Sequence, residues 1–417
     1  MYPPHHLGGY ELSCQDVVAR WRAKGHKVVV LTSDLHLERA HQPRDEEPDV
    51  ERTLRFYWRD HEILRPSWRE SLAIERWNQD RLKQTIDRLR PDVVSAWNMG
   101  AMSLGMLQTV GELQIPQVYV VCDDWLIHGP IIDSWSNRFR KHRLLARVAR
   151  KLLGVPTLFE PSSYNPAVCF VSDTIRARAQ QHASWVPKRS MIAYTGIDHS
   201  DFPLREMPPP REWSWKLLYV GRVEERKGVH VAVEAMARLP SEATLEIAGP
   251  ADERYLPGLQ ARIDELDLTD RVVFTTYPRT ELPDVYASAD VFLFPVLWDE
   301  PFGLVPLESM ACATPVIATG MGGSKEFLFD DVNCLITPPG DAAALSESIK
   351  RLASDRDLRQ RLVHAGHETA RQLSVDTYAR VLEDWHRAAA QDFVEGEPAR
   401  RTPLEDALAP LRGGSPG

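Results

Sequence analysis

Cysteine is scarce in this sequence, and its apolar runs are short. The five cysteines among 417 residues, Cys14, Cys122, Cys169, Cys312 and Cys334, are odd in number, widely spaced and never form Cys-x-x-Cys. That spacing argues against a disulfide framework and against a cysteine-based zinc site. No apolar stretch approaches the roughly 20 residues that cross a bilayer. The opening Met-Tyr-Pro-Pro-His-His lacks the basic and apolar regions of a secretory leader. A cytoplasmic protein is expected, with peripheral membrane contact left open. Positive charge is not in excess either: 50 Lys plus Arg stand against 59 Asp plus Glu, a net of -9. A general nucleic-acid binder, which depends on neutralising phosphates, is therefore disfavoured, and any anion site has to be local. Neither Gly-x-Gly-x-x-Gly nor a Walker A sequence occurs, so dinucleotide-binding and ATP-hydrolysing readings lose their main support. The only Asp-x-Asp, Asp355-Arg356-Asp357, follows Ser354 and opens a helical pattern. It predicts a helix cap rather than a divalent-cation site.

What is present is an ordinary globular composition, 43% apolar and 26% charged, on a chain too long for one hydrophobic core. Short runs rich in β-branched residues alternate with helical patterns, the signature of parallel sheets wrapped by helices. The first half has such runs at 28–32, 93–96, 118–122, 168–172 and 191–194. The second half has them at 216–220, 244–248, 272–275, 291–295, 316–318 and 334–336. Two doubly wound α/β domains are predicted, 1–200 and 216–374. They are joined by a linker at 201–215 that contains Pro203 and the run Pro208 to Pro210. A helix at 375–391 is expected to pack back on the N-terminal domain, and a disordered tail is expected at 392–417. The glycines Gly8 and Gly9 read as a strand-to-helix loop without a strand before them. This predicts that the sequence starts about ten residues late, the length of one strand and its lead-in.

The densest chemistry follows the strand at 217–220, in Gly221-Arg222-Val223-Glu224-Glu225-Arg226-Lys227-Gly228. Arg222 and Lys227 flank a loop at the carboxyl edge of the sheet, where such folds bind ligands. Two cations there suit a diphosphate and can stabilise a departing nucleoside diphosphate without metal. The plainer alternative is a solvated basic loop paired with Glu224 and Glu225. A second segment, Asp299 to Glu308, follows the strand at 291–295. A helix starting near Phe302 or Gly303 would aim the N–H groups of Gly303, Leu304 and Val305 at an anion. Glu300 would then accept from sugar hydroxyls, and Glu308, about two turns inside, would take a ribose diol. The alternative has Glu300 capping the helix and Glu308 pairing with a neighbouring base.

Together with Thr314-Pro315-Val316-Ile317-Ala318 and Gly322-Gly323-Ser324-Lys325-Glu326, these segments resemble glycosyltransferase family 4 of the GT-B class. The resemblance covers most of the chain, from Tyr2 to about Trp385, and is densest between Gly221 and Pro338. It implies retaining, metal-independent transfer from a nucleotide-diphosphate sugar to an acceptor at a cleft between the domains, with no cofactor. By the same resemblance Arg222 and Lys227 bind the diphosphate, and Glu308 binds the ribose. Glu300 and the backbone of Phe302, Gly303, Leu304 and Val305 hold the donor sugar. Tyr277 falls where the base is placed, or else is an ordinary core aromatic. Gly8-Gly9-Tyr10-Glu11 matches the family's glycine-rich loop, which closes over the donor phosphates. The family's His-Asp after the fourth strand reads Cys122-Asp123-Asp124-Trp125 here, so Asp123, Asp124 or His128 takes the place of the missing histidine. That substitution keeps a rival reading in play, a non-catalytic scaffold that binds nucleotide sugars.

One further segment stands apart. Arg138 to Leu153 holds seven Lys or Arg and no acid. On a helical wheel Leu144, Leu145, Val148 and Leu152 share one arc, opposite Arg140, Arg143, Arg147, Arg150 and Lys151. Either the apolar arc packs on the sheet, or the helix contacts an anionic membrane or lipid-phosphate acceptor.

Overall fold

The structure is a computed structural model that describes residues 1–6, 8–37, 49–59, 62–205 and 212–391. The centre of the expected linker and the expected disordered tail lie outside the described residues. The chain divides into two compact units. One is Met1–Ala193 together with the last helix from Tyr378 onward, and the other is Tyr194–Thr377.

The first unit is built on parallel strands. β1 (Val30–Ser33) pairs with β2 (Val50–Leu54), and β3 (Trp58–Arg59) forms a small antiparallel ribbon with β4 (Glu62–Ile63). A four-stranded parallel sheet runs in the order β5 (Val94–Trp97), β6 (Gln117–Val121), β7 (Ala167–Phe170), β8 (Arg189–Ile192). All residues of β6 and β7 are buried, as expected for apolar runs covered on both faces. Among the described residues β1 and β5 each have a single strand partner, so the parallel strands of this unit form two separate groups. The terminal helix Val375–Gln391 contributes Tyr378, Ala379, Leu382 and Ala389 to a core shared with Val17, Trp21, Val118, Val120 and Cys169. The Trp21 indole donates to the Ala379 carbonyl at 2.9 Å. His386 is buried beside Trp21 with its ring nitrogens on Leu382 O and Ser95 Oγ, and burial pulls its pKa down to about 4.

A second buried polar cluster in this unit has a measurable consequence. Glu75, on the helix Trp68–Leu89, accepts from the Tyr57 hydroxyl at 2.8 Å and is fully buried. Burial, and next the nearby Asp133 charge, push its carboxyl up to about 8. Asp133 itself is tied to the backbone N–H groups of Leu104, Trp135 and Ser136. Between the ordinary value of 4.5 and about 8, the folded state therefore holds a proton that the unfolded state has released. Stability falls as pH rises through that window, by an amount on the order of a few kcal/mol. The isosteric Glu75→Gln is neutral at every pH and should flatten this slope. Urea unfolding of both proteins at several pH values between 5 and 8 reads the difference, and parallel slopes would count against a protonated Glu75.

The second unit is one six-stranded parallel sheet. Its order is β11 (Val272–Thr275), β10 (Thr244–Ala248), β9 (Lys216–Val220), β12 (Val291–Phe294), β13 (Val316–Ala318), β14 (Leu335–Ile336). The chain starts at the centre, winds to one edge, then crosses back beside its first strand, with Val291 against Leu217 and Phe292 against Leu218. The strand order thus reverses between β9 and β12. In open α/β sheets the crevice beyond the carboxyl ends of such a strand pair is the ligand position. The two motif-bearing loops leave these two strands.

Candidate active site

The loop after β9 is locked by close backbone approaches. Gly221 leaves the strand at φ +144° and donates to Ala248 O at 2.9 Å, while the Tyr219 hydroxyl fastens the Arg222 carbonyl at 2.7 Å. A single 3-10 turn, Glu225–Lys227, leads to Gly228 at φ +68° and then the helix Val229–Met236. A Cβ on Gly228 would lie 1.9 Å from the carbonyl oxygen of Pro295, just past β12. The N–H of Leu297 donates to Arg226 O at 2.9 Å. The two loops are therefore one rigid piece, and Lys227 is aimed from it.

Lys227 Nζ meets Glu300 Oε2 at 2.7 Å, with both side chains largely shielded from solvent. The same carboxylate oxygen accepts the Trp298 indole N–H at 2.8 Å. Arg226 lies over the Trp298 ring at 4.1 Å and the Lys227 ammonium at 5.5 Å. Gly322 and Gly323 let a neighbouring backbone close on Glu300. Gly323 N donates to Glu300 O at 2.6 Å, and a Cβ on Gly322 would sit 2.3 Å from that oxygen. Arg222 is more exposed and rests 3.5 Å from Glu224, which also accepts from Arg226 at 2.7 Å. Pairing within the basic loop is thus real for Arg222 and Arg226, whereas Lys227 reaches across to the other loop.

The segment after Glu300 differs in detail from its expected form. The helix begins at Val305, not near Phe302 or Gly303, and spans Val305–Ala311. Gly303 at φ +90° interrupts the helical path, and Pro306 fits the first turn, where its missing N–H has no helical partner to lose. No side chain caps this helix, so Glu300 is not its cap. Glu308 consequently lies in the first turn, not two turns inside. It is buried, accepting from the Tyr286 hydroxyl at 2.9 Å and approached by Arg279 at 3.4 Å. Burial raises its pKa, while Arg279 and the Tyr286 bond pull the other way. The pairing of Glu308 with a base therefore holds. The Phe302 side chain is core, between Tyr194 and Phe327, which leaves only its backbone for a ligand. Tyr277 is not a core aromatic: it is half-buried and donates to Glu246 at 2.6 Å.

In the first unit, Gly8 precedes and Gly9 opens the helix Gly9–Ala23, and a Cβ on Gly8 would meet nothing within 4 Å. Tyr10 ties that helix to the sheet through Val120 O and Asn98 N. After β6, Asp123 accepts the Trp125 N–H at 2.9 Å, and burial pushes its carboxyl up to about 6. Asp124 is held by Arg178 at 2.5 Å. His128 is exposed on the helix Trp125–Ile132. Asp355 caps the next helix through Leu358 N, as its sequence context predicts.

Trp298, which shares the Glu300 carboxylate with Lys227, and Tyr286 and Arg279, which hold Glu308, are not among the residues expected from sequence. Trp298 lies two positions before Glu300, and an aromatic in so short a loop is a usable signal. Tyr286 and Arg279 carry no such signal, because they meet Glu308 only through the fold.

A rigid cation-bearing turn after β9 and a carboxylate-bearing loop after β12 are thus joined at the strand reversal. Residues 204–369 fit the model of glycosyl transferases group 1, and residues 7–201 fit that of Glycosyltransferase Family 4. The chain belongs to glycosyltransferase family 4. Its fold is that of GT-B glycosyltransferases, with parallel sheets in two domains. It is 34% identical over 178 residues, 42% of either protein, to a D-inositol 3-phosphate glycosyltransferase of Xylanimonas cellulosilytica. It is 36% identical over 171 residues to the lipopolysaccharide core biosynthesis glycosyltransferase LpsE of Rhizobium meliloti, covering 40% of this chain and 49% of that protein. These matches span about half of the relatives' length or less. Anabaena HepE, solved in complex with UDP, shares the fold at TM-score 0.65 and 20% identity, over 91% of this chain and 96% of that one.

Proposed function

We propose that this protein is a retaining glycosyltransferase that moves a sugar from a nucleotide-diphosphate sugar to an acceptor hydroxyl without a metal ion. The observation that carries this reading is the Lys227 to Glu300 pair at the strand reversal, a cation and a carboxylate 2.7 Å apart on two interlocked loops. Without donor the two satisfy each other. When donor binds, the ammonium turns its hydrogens to the diphosphate and the carboxylate accepts from sugar hydroxyls. Arg222, exposed and free to swing from Glu224, adds the second cation. Glu308 accepts from the ribose, Tyr277 lines the base, and Gly303, Leu304 and Val305 supply backbone N–H groups to the donor. Gly8, Gly9 and Asp123 serve the acceptor side, with His128 nearby in the chain.

In the proposed step the acceptor oxygen forms a bond to the anomeric carbon on the face from which the diphosphate departs. The carbon–oxygen bond to phosphate breaks, and the acceptor proton passes to the leaving phosphate oxygen. Charge developing on that oxygen is what Lys227 and Arg222 stabilise. The UDP held by HepE makes uridine sugars the first donors to test.

Two measurements on one reaction test the proposal. NMR of the product should show the donor's anomeric configuration, and a chelator should leave the rate unchanged. An inverted product would overturn retention, and chelator-sensitive activity would overturn metal independence. Donor binding with neither transfer nor hydrolysis would favour the scaffold reading.

A further inference from the structure

The basic segment at 138–153 is α-helical over only part of its length. The helix spans Arg143–Leu153, while Ser136–Arg138 forms a separate 3-10 turn. Its inward face carries Ala146, Ala149 and Leu153 rather than the apolar arc. Ala146 is fully buried, Ala149 and Leu153 are partly so, and Thr157 and Arg76 donate to the carbonyls of Ala146 and Leu153. The large apolar side chains face solvent: Leu144 is 78% exposed, Leu145 64%, Val148 56% and Leu152 78%. Of the two readings of this segment, the one in which the arc packs on the sheet is thus excluded. An amphipathic helix normally buries such an arc, because water is a poor solvent for it.

Cations border that apolar stripe on one side. Arg143 and Arg150 are engaged by Glu160 and Glu112. Arg147 and Lys151 are exposed and form no ion pair among the described residues. The helix has no carboxylate of its own, although the whole chain carries a net charge of -9.

We infer that this helix is a docking surface for a bilayer containing anionic lipid, lying in the plane of the interface with Leu144, Leu145, Val148 and Leu152 in the acyl boundary and Arg147 and Lys151 among the headgroups. Both chemistries are needed to choose the partner. A polyanion such as nucleic acid would leave the leucines in water. A second copy paired through the same stripe would bring like cations together across a two-fold axis. A membrane surface satisfies both arcs of one helix at once.

The test is co-sedimentation of the full chain with vesicles of phosphatidylcholine alone or mixed with phosphatidylglycerol. Two variants are compared with wild type, Leu144→Ser with Leu152→Ser and Arg147→Gln with Lys151→Gln. All four positions are exposed, so thermal unfolding and UDP binding should match wild type and serve as controls. Wild type is expected to partition onto the mixed vesicles, weakly onto phosphatidylcholine, and less at high salt. Each double variant should lose roughly tenfold or more in partitioning. Failure of wild type to bind, or equal binding by the variants, would overturn the inference. So would a concentration-dependent dimer in sedimentation that Leu144→Ser with Leu152→Ser abolishes.

Discussion

Replacing Lys227 by alanine should lower kcat/KM by well over tenfold, and by about a hundredfold if the ammonium acts on the leaving diphosphate as an oxyanion donor does. Lys227 ends a 3-10 turn fixed by Gly228, and its ammonium stands 2.7 Å from Glu300. Truncation leaves Glu300 with the Trp298 N–H as its remaining partner, so the carboxylate stays in place while the cation is lost. The fold should survive, because Glu300 keeps a hydrogen-bond donor and neither side chain of the pair is fully sealed from solvent. Steady-state kinetics with a thermal melt separates the outcomes. A folded variant with a wild-type rate would remove Lys227 from the chemistry, whereas Arg222→Ala, at a more exposed cation, should give a smaller loss in the same direction.

A second large effect is expected at Gly228, through the fold rather than the chemistry. Its φ of +68° costs any other residue about 1 kcal/mol or more. In addition, the Cβ of Gly228→Ala would lie 1.9 Å from Pro295 O, closer than any real contact. The loops after β9 and β12 would have to part, breaking the Leu297 to Arg226 bond that couples them. A loss on the order of 3 kcal/mol or more is expected, in the range of strained backbone positions. Urea denaturation gives the value. A variant within 0.5 kcal/mol of wild type, the range of about ±0.5 kcal/mol of ordinary surface changes, would show that the two loops are not rigidly joined.

The second unit was the more legible in sequence, for a physical reason. Each of its strands is a short, largely apolar run, and four of the six match the expected bounds residue for residue. In the first unit β2, β3 and β4 were missed. β2, Val-Glu-Arg-Thr-Leu, has three polar residues between its two apolar ends, and β3 and β4 are two residues each. None makes the continuous apolar run that marks a buried parallel strand.

At the site, spacing gave the Lys227 and Glu300 loops, but not that they are bonded to each other or share Trp298. The helix start was misjudged because Gly303 and Pro306 can be read either as loop or as first turn, and only the φ of Gly303 decides. The apolar arc at Leu144 to Leu152 was legible as an arc. Its exposure was not, since periodicity says which residues share a face and not which face the rest of the protein covers.

The central claim is that Lys227 and Glu300 exchange each other for the two ends of one donor. A crystal structure with a bound nucleoside diphosphate tests it most directly. Lys227 Nζ should have turned from Glu300 to a phosphate oxygen at hydrogen-bond distance, with Glu308 on the ribose hydroxyls. A bound nucleotide elsewhere, with Lys227 still on Glu300 and Glu308 touching only Tyr286 and Arg279, would contradict the account.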